Sequence, residues 1–361
     1  MEIAIWDPIA PREGVSHSEL YRQHLGEVMV AEECGFQHYW FIEHHLTPHC
    51  PMPSPNLMIA AAARRTTRIR LGTMVNVLPY RNPLLLAEEL AVLDNLTDGR
   101  LDVGIGRGLK PTEFQTFGMP MDESREMFLE AVEVMLGIWR EETFAFKGKY
   151  FSVDKQTPLA PPLVQRPHPP LYVSAQTKES LRWAAKRDLP FGQIDSKIPD
   201  CKRDQAFYRE VQAASGYAPA PRLFLTREVY LAESGEEARR EALPYLMAYW
   251  DLWGRYAQFA REGRLPDSYD AWRQRAPELC AMTYEELIAE NMVFVGSPER
   301  VAAQIVEHQR ELDVAVLVCV FQLGPLSHDR VVRSMRLFAD AVLPRVAAAN
   351  QISVPKRESQ Q

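Results

Sequence analysis

Chemistry in this chain is concentrated in short polar runs, each of which follows an apolar stretch. Glu43, His44 and His45 come after HYWFI, Asn76 after LGTMV, Arg107 to Lys110 after LDVGIG, Gln176 and Thr177 after LYVSA, and Asp195 after FGQI. Arg107, Gly108 and Lys110 put two cations and a glycine at a strand end, which reads as an anion site: Gly108 lets backbone N–H groups turn toward a phosphate. Histidine titrates near neutral pH, so whichever of His44 and His45 faces a cavity can accept a proton or donate a hydrogen bond. Neighbours in an extended segment point to opposite sides. That geometry, with no His-x-His or HExxH spacing, argues against a metal site at the pair. GIGRG is not the dinucleotide fingerprint GxGxxG, because Leu109 stands where the third glycine belongs. Gly104 and Gly106 are read instead as letting a planar ligand lie against the strand, with tight packing the alternative for Gly104.

The elements that must position these residues alternate. Pro83 opens a helix whose Leu86, Leu90, Leu93 and Leu96 recur at helical spacing, Asp98 and Gly99 stop it, and Leu101, Val103 and Ile105 alternate as a strand does. The same pattern of strand, helix and strand recurs at roughly 30-residue intervals, the length of a βαβ unit. Strands are expected over 2–7, 38–42, 69–75, 100–106, 171–175, 189–194, 223–231 and 315–321, with helices at 17–34, 54–64, 177–187, 236–261 and 328–348, and another opened by Ser297. Asp122 is expected to cap a long helix with a buried stripe of Phe128, Val132, Met135 and Trp139, followed by a short β excursion over 143–153. Strands this apolar are buried on both faces, as in parallel sheets, so the choice lies between a doubly wound sheet and an α/β fold of the (β/α)8 TIM-barrel type, and the barrel is preferred. In a barrel every polar run named above falls on one rim.

Composition narrows the function classes. The 361 residues carry a net charge of -7 with 46% apolar and 25% charged residues, which suits a large core and leaves no basic field for nucleic acid. One elaborated barrel domain, 1–350, accommodates this length, with the proline-rich link 158–170 read as a surface loop. The stretch 263–291, which mixes charge, proline and aromatics, is read as an insertion and candidate lid, and 351–361 as a frayed tail. The five cysteines are odd in number, scattered and without metal spacing, so reduced thiols are expected. With no basic-apolar leader and no apolar run near 18 residues, a soluble cytoplasmic protein without membrane contact is expected. Trp6, Phe41, Phe114, Phe117 and Trp250 suggest an apolar cavity, though such residues are commonly plain core.

Five collinear segments, WFIEHHLT, LGTMVNVLPYRNP, AEELAVLDNLTDGRLDVGIGRGL, FGMPMDESR and PLYVSAQTKESLRWAAKRDLP, resemble the luciferase-like flavin-dependent monooxygenases, of which the bacterial luciferase alpha subunit is the nearest type. The resemblance covers nearly the whole chain. It implies a (β/α)8 barrel and reduced FMN as cosubstrate, which activates O2 as a flavin C4a-hydroperoxide to oxygenate a small organic substrate. A separate NAD(P)H:flavin reductase supplies the FMN, and the family forms dimers through helices near 54–64, so a homodimer is implied. The alternatives are a non-catalytic FMN-binding protein, an F420-dependent oxidoreductase of the same fold, or a metal hydrolase on the barrel.

Site residues follow from the same resemblance. Arg107 and Arg125 match the arginines that hold the FMN phosphate, and Thr177 and Ser180 match hydroxyls offered at a helix start. Gln176 replaces a glutamate. His44 matches the histidine regarded as the catalytic base, with His45 its neighbour, and Met74 and Val75 match a non-prolyl cis peptide behind the flavin ring. Leu109 belongs to the RGL motif of the cofactor site, and Trp250 matches a tryptophan near the isoalloxazine, with a core role as its alternative. Gly106 stands where luciferase has a reactive cysteine and Lys110 where it has a tyrosine, which puts light emission and a long-chain aldehyde substrate in doubt.

Overall fold

In the computed structural model, which describes residues 1–155, 158–261 and 265–352, eight parallel strands close into a barrel. They are β1 Glu2–Asp7, β2 His38–Phe41, β3 Arg70–Thr73, β4 Leu101–Gly106, β5 Leu171–Ser174, β6 Phe191–Gln193, β7 Leu223–Leu231 and β8 Val314–Val320. Each pairs with its successor, and β8 returns to β1 through Ala4↔Val318. The (β/α)8 barrel expected from the alternation is the fold. Around it lie α1 His17–Glu33, α2 Pro55–Ala63, α3 Pro83–Leu96, α4 Ser124–Arg140, α5 Lys178–Ala185, α6 Ile198–Ala214, α7 Gly235–Arg261 and α8 Pro298–Glu311.

Local chemistry accounts for the element ends. Asn82 caps α3, its Oδ1 accepting from the N–H groups of Leu84 and Leu85, and Pro83 takes the first turn, where no N–H is needed. Asp98 and Gly99, at φ 51° and 76°, then turn the chain into β4. Asp122 does not cap α4: it lies in a 3-10 turn, Met121–Glu123, one residue before the N-cap position, Glu123. A further parallel strand, Val293–Gly296, pairs with the outer half of β7 and was not expected, since four apolar residues between an insertion and a helix carry no periodicity of their own. At the other end the helix of the tail runs to Ile352, past the expected start of fraying; 353–361 lie outside the described residues. The link 158–170 is tied to α3, where Asp94 accepts from the N–H groups of Val164 and Gln165 at 2.7 and 2.9 Å.

The rings of Trp40, Tyr172 and Phe224 meet at centroid distances of 4.7 to 5.8 Å although β2, β5 and β7 are not neighbours. They can do so only inside the barrel. Below them Asp102 closes the N-terminal end, accepting from Trp40 Nε1 at 3.1 Å and Arg70 Nε at 2.7 Å with His38 Nδ1 at 2.6 Å. The opposite end is left for a ligand. Gly104 serves the packing: a Cβ there would lie 1.9 Å from the Thr73 carbonyl oxygen, so the planar-ligand reading does not apply to it. Because the clash is with backbone, Gly104→Ala is expected to cost at least ~1–3 kcal/mol; a urea midpoint equal to wild type would refute that.

No helix among the described residues is long and apolar enough to cross a membrane.

Candidate active site

One cavity opens at the C-terminal rim, and it gathers most of the residues singled out from the sequence: His44, Met74, Val75, Gly106, Arg107, Leu109, Arg125, Gln176, Thr177 and Ser180 all line it. Closure of the barrel is the cause, since strand ends far apart in sequence share one rim. Arg107, at the end of β4, lies over the Tyr269 ring with its guanidinium carbon 3.8 Å from the centroid. The Tyr269 hydroxyl donates to the Gly108 carbonyl at 2.9 Å, so the tyrosine braces the loop it stacks on. Arg125, in the first turn of α4, reaches the same wall and pairs with Glu179 at 2.9 Å. Across from them Thr177 caps α5 in a reciprocal capping box with Ser180, Thr177 Oγ1 accepting from the Ser180 N–H at 3.2 Å. Two guanidiniums and a hydroxyl-bearing helix start are what a phosphate requires.

Beside this anion cradle the wall is flat and apolar. The Met74–Val75 peptide is cis, as the resemblance implied, and a Cβ at Gly106 would lie 2.3 Å from Val75 Cγ2. The valine fills the space a cysteine at 106 would need. Tyr269 and Arg275 come from the stretch read as an insertion, and Arg275 donates to Gln176 Oε1 at 2.7 Å and Ser196 Oγ at 2.8 Å. That segment therefore covers the cradle; residues 263 and 264 of it lie outside the described residues.

Of the adjacent histidines, only His44 lines the cavity. Its Nδ1 lies 3.2 Å from Glu113 Oε1, which also accepts from the His45 backbone N–H at 3.1 Å. Burial lowers the His44 pKa below its ordinary value and the Glu113 hydrogen bond only partly offsets this, so the ring is neutral at neutral pH. Burial would raise the Glu113 carboxyl, but His44 and Lys110 hold it below the usual range. His45 turns outward, with Nε2 2.9 Å from Glu43 Oε1 and its ring against Tyr80 and Phe117. His45, expected as a catalytic residue, is not among the residues that line the cavity, since successive residues of an extended segment point to opposite sides. Lys110 likewise leaves the anion site: its Nζ lies 3.7 Å from Glu113, and burial lowers its pKa to about 8.

Residues 1–314 match the family model described as luciferase-like monooxygenase. The chain belongs to the luciferase-like monooxygenase family. Among its relatives, the oxygenase component of a flavin-dependent trigonelline monooxygenase of Acinetobacter baylyi is 27% identical over 251 residues, 68% of this chain and 69% of that one. The alkanal monooxygenase alpha chain of Photobacterium leiognathi is 26% identical over 343 residues, 92% and 95% of the two chains. The oxygenating constituent of 3,6-diketocamphane monooxygenase from Pseudomonas putida, solved in complex with FMN, superposes with a TM-score of 0.79 at 23% identity, covering 96% of this chain and 99% of that one, and so shares the fold.

Within this luciferase-like monooxygenase, Trp250 packs in the core at 2% exposure and is not among the residues that line the cavity. Its sequence position on α7 could not distinguish the two. Of the other aromatics, Trp6 is on the cavity wall, joined by Phe128 and Trp183, whereas Phe41 and Phe114 are core and Phe117 stands at the surface. Glu113, Tyr269 and Arg275 escaped sequence reasoning, because a helical glutamate and an insertion of mixed composition carry no local mark of where they fold. Asp195, at the end of β6, faces the cavity, and burial raises its pKa to about 6.

A second buried cluster lies away from the cavity. Ligand atoms of Asp7, His24 and Glu27 all fall within 4.8 Å of one another, a spacing a metal could use. Their charges are already met from within the protein, since Arg12 pairs with Glu27 at 2.7 Å and Tyr39 donates to Asp7 at 2.7 Å. Burial lowers the His24 pKa, but Asp7 and Glu27 outweigh it and hold the ring at about 9. A value raised above the unfolded ~6.5 contributes stability in full below pH ~6.5 and loses it as pH climbs through about 9. The urea midpoint should therefore fall between pH 6.5 and 9 more steeply in wild type than in His24→Gln; parallel profiles would show that His24 is not charged in the fold.

Proposed function

We propose that this protein is the oxygenase of a two-component system. In this reading it binds reduced FMN, delivered by a separate NAD(P)H:flavin reductase, and uses O2 to oxygenate a small organic substrate. The observation that carries the reading is the convergence of Arg107, Arg125, Thr177 and Ser180 at one end of a cavity whose other walls are the apolar Met74–Val75 face and the neutral His44. The arginines and the α5 start would hold the FMN phosphate, and Met74, Val75, Gly106 and Leu109 would take the ring system, with Gln176 beside the phosphate. Reduced flavin supplies the activation of oxygen. The protein binds and orients, covers the cradle with the Tyr269 and Arg275 segment against water, and keeps His44 Nε2 available to accept a proton or donate a hydrogen bond while Glu113 fixes Nδ1. That a relative is named a flavin-dependent oxygenase component supports both the cofactor and the reductase. Anaerobic titration with photoreduced FMN, followed by oxygen uptake with and without candidate substrates from a thermal-shift screen, tests it. Absence of FMN binding in either redox state would overturn the reading.

The reading includes a homodimer. Leu57 on α2 and Leu85, Val92 and Leu96 on α3 stand 70%, 66%, 44% and 38% exposed, an apolar face on adjacent helices beside the alanines of α2. Such a face is expected to be covered by a second copy. Light scattering at micromolar concentration should give twice the 41.3 kDa chain mass, and Leu57→Glu with Leu85→Glu should return the monomer. A wild-type monomer would refute it.

A further inference from the structure

The floor of the cavity holds polar groups that the anion cradle and the His44 cluster do not use. Ala4 pairs with Val318 and Val318 with Thr226, so two residues further along each strand Trp6, Val320 and Glu228 share one layer. Trp6 lines the cavity. Glu228 points inward as well, being on the same face of β7 as Phe224, whose ring is inside the barrel. Trp6 and Glu228 thus stand two interstrand spacings apart, about 9–10 Å between Cα atoms, in one layer beneath the rim, Trp6 on the cavity wall and Glu228 just behind it against the lining Asp195.

Both carry an unsatisfied atom. Trp6 Nε1, a donor, and Glu228 Oε1, an acceptor, are buried with no hydrogen-bond partner among the described residues, on side chains from residues 4% and 1% exposed. Buried polar atoms are seldom left so unless something else completes them. The other Glu228 contact is the carboxyl of Asp195, which also faces the cavity. Burial and the Asp195 charge push Glu228 well above the usual carboxyl range, so it is the protonated member and donates to Asp195. Neighbouring arginines do not complete the pair. Arg227 spends its N–H groups on the Thr226 and Ser196 carbonyls and His308, and Arg275 donates to Gln176, Ser196 and the Ile194 carbonyl. The Trp6 donor and the Glu228 acceptor therefore remain in this layer, with Arg275 Nε a further unpartnered donor near Asp195, and apolar Ile42, Val173 and Ile194 line the cavity beside them.

We propose that Trp6 and Glu228, backed by Asp195, form the substrate's polar subsite and select a compact apolar molecule bearing a hydroxyl, which accepts from the Trp6 indole N–H and donates to Glu228. A hydrocarbon satisfies neither atom and a ketone only the indole. This subsite deepens the oxygenase reading and rests on it for calling the ligand a substrate, but its chemistry is testable without turnover.

Dissociation constants of cyclohexanol and its hydroxyl-free shape analogue methylenecyclohexane, measured by ligand-observed NMR on FMN-free and FMN-saturated protein, decide the matter. Cyclohexanol should bind ~10-fold or more tightly than methylenecyclohexane, the scale of one to two neutral hydrogen bonds. Trp6→Phe and Glu228→Met should each bring that ratio within ~3-fold of unity. Glu228→Gln should preserve it, because an amide repeats the donor to Asp195 and the acceptor to the ligand. Equal affinities in wild type, or a ratio untouched by Trp6→Phe and Glu228→Met, would overturn the subsite, as would a resident water that the alcohol does not displace. A loss of FMN affinity beyond ~10-fold in either variant would reassign these atoms to the flavin. Failure of wild type to bind FMN, with the alcohol preference intact, would instead sink the oxygenase reading and leave the subsite standing.

Discussion

His44→Ala is expected to bind FMN within a few-fold of wild type yet lose ~10²-fold or more in coupled oxygenation, the usual scale for removing a positioned acid or base. Affinity should survive because, in the proposed reading, the phosphate is held by Arg107, Arg125 and the start of α5 rather than by His44. Rate does not, because His44 is the histidine on the cavity wall and its Nδ1 is fixed by Glu113 at 3.2 Å, leaving Nε2 for the reacting groups. Electrons should then be lost to hydrogen peroxide, so the ratio of peroxide to oxygenated product should rise. The pH dependence carries a sign. Burial lowers the His44 pKa below its ordinary ~6.5, so activity that requires the neutral ring holds at neutral pH and falls as pH drops through that lowered value. Glu113 pulls the ring upward, so Glu113→Gln should move the acid limb to still lower pH. His44→Ala with wild-type rate and coupling would remove it from the chemistry.

Arg107→Ala should weaken FMN binding by ~1.5–3 kcal/mol, or ~10- to 150-fold in Kd, the range for a hydrogen bond to a charged group. Burial lowers the Arg107 pKa, and the charge of nearby Arg125 adds to that lowering. A phosphate placed between them relieves that repulsion, and the alanine variant loses both attraction and fork. Arg107→Lys keeps the charge without the planar fork or the stacking on Tyr269, so it should fall between the two. Fluorescence quenching of FMN at fixed ionic strength measures this. A Kd within two-fold of wild type in Arg107→Ala would place the phosphate elsewhere.

Local pattern by itself determined the alternation of strands and helices and the strand ends that share a rim, with the barrel preferred to a doubly wound sheet. Period-2 and helical spacings are written in neighbouring residues, and the parallel alternation leaves few ways to close, so placing Arg107 and Thr177 on one rim needed no knowledge of contacts, whereas Arg125 and Ser180 joined them through the family resemblance. Side-chain direction and long-range partners were decided only by the tertiary structure. His44 and His45 are equivalent on paper, and the register of the segment after β2 turned one into the cavity and the other toward Glu43. Lys110 looked like a second phosphate ligand until the helical turn Pro111–Thr116 brought Glu113 back beneath it. Gly104 needed the Thr73 carbonyl from the neighbouring strand to explain it, and Trp250 needed the packing of α7. Trp6 and Glu228, more than 200 residues apart, share a layer only because β8 closes between them, and closure of that kind is a property of strand pairing that no window of sequence contains.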